Sequence, residues 1–271
     1  MSTWKPDTQL AAVNRLAADK PVVVSQELFD LIRVALEYSK ETAGAFDITY
    51  ASVGYLYDFR QHIHPDAAAR LAALPGINYH HVVLDAANRT VRFTRKGTKI
   101  DLGGIAKGHA VDRGIEILRR AGYDRAMVNS GGDTRIIGDR FGKPWIVGVR
   151  DPNNEAVSFL RLPLTDAAIS TSGDYERYFD EGGQRFHHII DPKTGDSARS
   201  LRSATVIGPT ALRTDALSTS VFVLGPERGL ELIERLQDVD AVLVTPAGKV
   251  LYSSGLAPPV VPAASVPSKP D

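Results

Sequence analysis

Apolar positions Leu28, Leu31, Ile32, Ala35 and Leu36 recur at the spacing of one buried helical face. Ser25 stands ready to N-cap that helix, and Gly44 stops it. The first 20 residues are polar by contrast. His80–Asp85 and Thr90–Thr94 collect β-formers around Ala86–Arg89, which predicts a hairpin. Thr98–Leu102 predicts a further strand. It runs into Gly103-Gly104 and a helix over Ala106–Arg120 with Val111, Ile115 and Leu118 inward. Gly122 follows the last turn, where glycine commonly ends a helix.

Beyond Gly122 the pattern is mostly β, with strands predicted at Arg125–Val128, Trp145–Val149, Phe159–Leu164, Tyr175–Phe179, Arg185–Ile190 and Ala204–Ile207. Glu181-Gly182-Gly183 turns one hairpin. Helices follow over Asp215–Leu224 and from Pro226, with Leu230, Ile233 and Leu236 inward. Ala241–Val244 and Val250–Tyr252 make a last hairpin around Pro246-Ala247-Gly248. The stretch 256–271 is rich in Pro, Ala and Ser and is expected to be a disordered tail. The expected fold is a single α+β domain over residues 1–255, with mixed and antiparallel sheets and packed helices.

Composition narrows the classes. Lys+Arg and Asp+Glu are both 32, so the formal charge is zero. That removes the basic excess a general nucleic-acid binder carries. The chain has no cysteine, which excludes disulfides, cysteine-held metals and thiol catalysis. No apolar run approaches the ~18 residues of a membrane span, and no export signal precedes the first element.

Several stretches carry chemistry. In Asp101–Asp112 a strand feeds two glycines and a helix start bearing Lys107. Helix N-termini beside a lysine favour phosphate, though an ordinary strand-to-helix turn fits as well. Val128–Asp133 reads first as a glycine-rich turn, with backbone amides offered to a site as the alternative. In a strand, His187 and His188 point to opposite faces, so only one of them serves a site. Asp215 and Thr219 share one face of a helix. Together they form a hard oxygen pair suited to Mg²⁺, unless Asp215 is simply a helix cap.

Taken in order, these stretches resemble the FAD:protein FMN transferases, the ApbE family of flavin transferases. The resemblance also rests on Ser2–Asp7 with Asn14, on Gly44–Thr49, on Thr171–Tyr175 and on His188–Gly195. Any one stretch is weak, and the ordered set is specific. It implies Mg²⁺ as cofactor and FAD as substrate. FMN would pass to a Thr or Ser hydroxyl of a target flavoprotein, with release of AMP. By the same resemblance Trp4, Ala45, Phe46, Asp47, Asp101, Lys107 and Ile190 contact FAD. Gly104 (through its carbonyl), Asp215, Ser218 and Thr219 hold the metal, and His188 assists the chemistry.

The chain begins inside the family's Ser-Thr-Trp motif. The expected fold therefore lacks the usual N-terminal strand. The family's envelope location is expected without an export signal in this chain. Ala51-Ser52 replaces the family's usual Gly-Pro, so a different backbone is expected there. Two other readings stand beside transfer: a Mg²⁺-dependent FAD pyrophosphatase, and an inactive flavin-binding fragment.

Overall fold

In the computed structural model, which describes residues 5–152 and 154–256, the first element is a helix inside the polar stretch, α1 (Gln9–Leu16). Its buried residues are Leu10, Ala11, Val13 and Asn14, of which only Leu10 and Val13 are large and apolar, too few to stand out as a period. The chain continues through β1 (Val22–Val23), α2 (Gln26–Glu41), α3 (Ala51–Gly54), α4 (Ala67–Ala73), β2 (Val82–Asp85), β3 (Thr90–Phe93) and α5 (Ala106–Arg120). Next come β4 (Ala126–Ser130), β5 (Asp133–Ile137), β6 (Trp145–Asp151), β7 (Asn154–Leu164), β8 (Ala168–Gly173), β9 (Tyr178–Glu181) and β10 (Gln184–His187). It closes with β11 (Ser203–Gly208), α6 (Ala211–Leu224), α7 (Pro226–Glu234), β12 (Asp240–Val244) and β13 (Val250–Tyr252).

The expected α+β class holds. The main sheet is antiparallel throughout, in the order β13-β12-β11-β8-β5-β4. A small sheet β1-β3-β2 and the hairpins β9-β10 and β6-β7 surround it. The expected Ser25 cap forms, its hydroxyl accepting the Leu28 N–H at 3.3 Å. Ala43 and Gly44 then break the helix with φ of 51° and 81°. Leu28, Ile32, Leu217, Phe222, Val206 and Leu243 join one apolar core, in which α2, α6 and α7 cover the sheet. Because α6 is buried on nearly every face, its polar residues need partners inside. They find them on β8: Thr214 pairs with Ser170 at 2.7 Å, and Ser218 with Ser172 at 2.9 Å.

Several expected strands are corrected. Thr98–Leu102 is irregular. Several of its backbone groups are taken by side chains instead of a neighbouring strand: the Asn14 amide pairs with both Ile100 N–H and C=O at 2.8 Å, and Ser52 Oγ accepts the Lys99 N–H at 3.0 Å. A proline in place of Ser52 could make neither that contact nor the one to the Gly76 carbonyl. The strand expected at Tyr175–Phe179 starts at Tyr178, after a turn. The one expected at Arg185–Ile190 ends at His187. Helix α6 starts four residues before the expected Asp215, with Thr210 as its cap. Strands β5 and β8 were not anticipated as strands at all. The tail expected over 256–271 lies, except for Leu256, outside the described residues.

His187 is a core residue. Its Nε2 donates to the Ala198 carbonyl at 2.6 Å, and its Nδ1 accepts the Ile189 N–H at 3.3 Å. Burial pushes its pKa down to about 4. The unfolded chain takes the proton first, at about 6.5. This residue's contribution is therefore complete above pH 6.5 and is lost as pH falls toward 4. From His187 alone, unfolding free energy in urea is expected to drop by about 2 kcal/mol between pH 7 and pH 5. His187→Gln is expected to flatten the profile by that amount. Identical slopes for the two proteins would contradict the assignment.

Candidate active site

The crossing of α5 and α6 sets the site. At Gly108 a Cβ would lie 2.2 Å from the Ala211 carbonyl oxygen, so the helices meet at a distance only glycine permits. One turn along α5, Asp112 accepts the Ala211 and Leu212 N–H groups at 3.0 and 2.8 Å. A carboxylate is favoured at such a helix N-terminus. With α6 anchored in height and rotation, Asp215 lies against the first turn of α5. Its Oδ2 accepts the Gly108 N–H at 3.0 Å, and its Oδ1 meets Lys107 Nζ at 2.9 Å. Asp215 is thus no helix cap. It is a buried carboxylate aimed across a helix crossing.

Lys107 Nζ also meets Asp133 Oδ2 at 2.7 Å. Asp133 follows Gly131 and Gly132, whose φ of 57° and 93° make the two-residue turn joining β4 to β5. Burial pulls the Lys107 ammonium down, and the two carboxylates more than offset it, so the pKa ends above normal. Burial raises Asp215 to about 6, against the pull of Lys107.

Thr219, one turn beyond Asp215, lines the same cleft. A Cβ on Gly104 would come within 3.2 Å of Thr219 Oγ1 and of the Phe46 ring, so the Gly104 backbone lies close over the threonine. Ser218 points elsewhere: its Oγ donates to the Asp215 carbonyl at 3.0 Å and is not part of the cleft wall. Among the described residues no group of three or more His, Asp or Glu is arranged to hold a metal. The donors gathered where α5 meets α6 are the Asp215 carboxylate, the Thr219 hydroxyl and the Gly104 backbone. Few hard oxygens, with substrate phosphates to complete the shell, fit Mg²⁺.

The same cleft is lined by His188, Arg177 and Ile190. His188 lies just past the end of β10, and its Nδ1 is buried without a partner. Burial, then the Arg177 charge, pushes its pKa down to about 3, so the resting ring is neutral. The Arg177 side chain lines the same cleft, and its charge acts on the His188 ring. Asp101 opens the Gly103-Gly104 bend, its Oδ1 accepting the Gly103 N–H at 2.7 Å and the Tyr50 hydroxyl at 3.1 Å. Ala45, Phe46 and Asp47 line the inner end. Asp47 is committed to the chain itself, accepting from Thr49 and from the Tyr79 N–H. The cleft holds about 270 Å³, and a cavity of about 720 Å³ shares its Tyr50, Asp101, Arg177 and His188 wall.

The structure thus gathers Ala45, Phe46, Asp47, Asp101, Gly104, Lys107, His188, Ile190, Asp215 and Thr219 around one cleft. Ser218 stands behind it, and Trp4 lies outside the described residues. Sequence reasoning passed over Asp133 and Arg177. A carboxylate straight after a Gly-Gly turn was the available sign for the first. Arg177, in an irregular turn, offered none.

The sequence model of the ApbE family matches residues 1–243. The FAD:protein FMN transferase of Treponema pallidum is 34% identical over 274 residues, spanning 94% of this chain and 76% of that one. The protein of the same name from Klebsiella pneumoniae is 34% identical over 254 residues, spanning 92% and 79%. The crystal structure of the ApbE protein from Thermotoga maritima superposes with a TM-score of 0.87 at 34% identity, covering 93% of this chain and 84% of that one. The flavin transferase ApbE from Vibrio cholerae gives 0.83 at 30%, covering 94% and 83%.

Proposed function

Because this chain belongs to the ApbE family, we propose that residues 1–255 act as a Mg²⁺-dependent FAD:protein FMN transferase, attaching FMN to a Thr or Ser hydroxyl of a target flavoprotein. The observation that carries this reading is the single cleft that Lys107, Asp215, Thr219, His188 and Arg177 all line. Asp215 and Thr219 offer hard oxygens for a cation that would accompany a diphosphate, and Arg177 adds positive charge. His188 offers a neutral imidazole for a hydroxyl proton.

In the proposed reaction the acceptor oxygen forms a bond to the FMN phosphorus. The bridging P–O bond breaks, and AMP leaves with its electron pair. Mg²⁺, held by Asp215, Thr219 and the Gly104 backbone, supplies charge neutralisation at the phosphates. Lys107 and Arg177 orient the same diphosphate, positioning being the larger part of phosphoryl transfer. His188 takes the hydroxyl proton. Its low pKa rises when anionic phosphates stand opposite Arg177, since opposite charge favours the protonated ring. Trp4, Ala45–Asp47, Asp101 and Ile190 are the proposed contacts to the rest of FAD. We extend the reading to an envelope location. Among the described residues no helix is long and apolar enough to cross a membrane.

The test is to incubate the protein with FAD, MgCl₂ and a hydroxyl-bearing acceptor flavoprotein, following AMP release and in-gel flavin fluorescence. Covalent flavin together with AMP is the expected result. AMP with free FMN alone would make the protein a pyrophosphatase, and no AMP would sink the reading. His188→Asn is expected to slow covalent labelling by ~10²–10⁴-fold, the usual share of a positioned base. FAD affinity by calorimetry should change only a few-fold.

A further inference from the structure

Lys107 is bound between two buried carboxylates, and only one of them belongs to the candidate metal set. Asp133 is 1% exposed and Asp215 2%. A divalent cation taking Asp215 Oδ1 must take it from Lys107, which holds that oxygen at 2.9 Å. The displaced ammonium cannot simply swing into water without leaving Asp133 buried and unpaired, which is costly. The stem of Lys107 runs close past Gly131, where a Cβ would lie 3.3 Å from Lys107 Cδ. Asp133 offers the ammonium a second partner already in contact, at 2.7 Å.

We propose that Asp133 is a positioning residue: it keeps Lys107 charge-paired at the cleft when a divalent cation takes Asp215, and so tunes metal affinity through Lys107. This rests on the metal assignment made above. With the carboxylate of Asp133 beside Lys107, the two carboxylates outweigh the one ammonium and leave one negative charge for the cation. With an uncharged amide there, as in Asp133→Asn, Lys107 and Asp215 cancel each other, and the cation must compete for a carboxylate whose charge is already matched.

The test reads metal binding directly. MgCl₂ is titrated into the metal-free chain by calorimetry, with Mn²⁺ binding by electron paramagnetic resonance as a second readout. Asp133→Asn is expected to weaken binding of both ions at least tenfold, and Asp133→Glu to recover part of the loss. Turnover of the Asn variant should return toward wild type at high Mg²⁺, which a merely unstable protein would not do. Lys107→Met, lacking the competitor, is expected to bind Mg²⁺ more tightly than wild type. In that background Asp133→Asn should have a much smaller effect, because Asp133 acts through Lys107. An undiminished effect there would make Asp133 a direct ligand and overturn the proposal. Unchanged Mg²⁺ affinity in Asp133→Asn beside a wild type that binds would also overturn it. A wild type that binds neither ion would remove the metal assignment itself and the proposal with it. Should the Asn variant not fold, Lys107→Met decides alone: weaker or equal Mg²⁺ binding would refute the competition on which the proposal depends.

Discussion

Asp215→Asn is expected to abolish metal-dependent turnover, by roughly 10³-fold or more, while the protein stays folded. Loss of one well-placed charge-stabilising group already costs ~10²–10³-fold in other enzymes, and Asp215 is the carboxylate in the proposed Mg²⁺ set. Its effect on stability is small for a physical reason. Burial raises its pKa to about 6, so the ionised form is disfavoured in the folded chain. The unfolded chain releases that proton near 3.8, so the folded state holds it longer between pH 3.8 and 6. Asp215's contribution to stability in the metal-free protein therefore shrinks as pH rises through that window and is least at neutral pH. Asn retains an oxygen for the Gly108 N–H and carries no charge to bury. A thermal midpoint at pH 7 within a few degrees of wild type is expected by circular dichroism. AMP release should be absent across a Mg²⁺ series. Wild-type turnover at low Mg²⁺ would show that the metal is held elsewhere.

Gly108→Ala is expected to cost more in stability than any change at the cleft surface. A methyl 2.2 Å from the Ala211 oxygen must push two helix backbones apart, and neither is a flexible side-chain end. Overpacking of this kind costs ~1–3 kcal/mol or more. For a chain of this size that lowers the melting temperature by roughly 2–12 °C. The shift also stretches the Asp215–Gly108 and Asp215–Lys107 contacts, and a ~1 Å misplacement of catalytic groups can cost ~10²-fold in rate. Gly114, on the same helix, supplies the control. A Cβ there would meet only the Val128 side chain, at 3.2 Å. Gly114→Ala trades a small adjustment against better helix propensity of up to ~1 kcal/mol. Its melting temperature and turnover should stay close to wild type. Equal damage from both substitutions would mean that the α5–α6 crossing holds no special place in the site.

What could be read without the fold was whatever repeats locally. Leu28, Ile32 and Ala35 mark α2 because a helix brings i, i+4 and i+7 to one side whatever lies beyond. The bounds of α5 and the β2–β3 hairpin were legible for the same reason. The ordered motifs pointed to the residues that line the cleft, since each is a short run whose type and spacing survive without coordinates. Strand β5 was hidden because a Gly-Gly turn looks complete in itself. Strand β8, Ala168–Gly173, was hidden because its small hydroxyl residues read as loop. They are buried only because α6 presents Thr214 and Ser218 to receive them.

The sequence by itself determined the local elements, the α+β class and the inventory of chemical groups, because these follow from short-range periodicity and residue type. The tertiary structure alone decided how those groups are used. It turned Asp215 from a cap into a buried partner of Lys107, since the α6 N-terminus lies four residues earlier and is held by Asp112 from another helix. It kept Thr98–Leu102 from being a strand, since Asn14, 86 positions from Ile100, supplies the hydrogen bonds a neighbouring strand would have made. It joined Asp133 to Lys107 through a sheet turn meeting a helix start. Each is a contact between residues far apart in the chain, and such contacts are fixed by packing that no local pattern encodes.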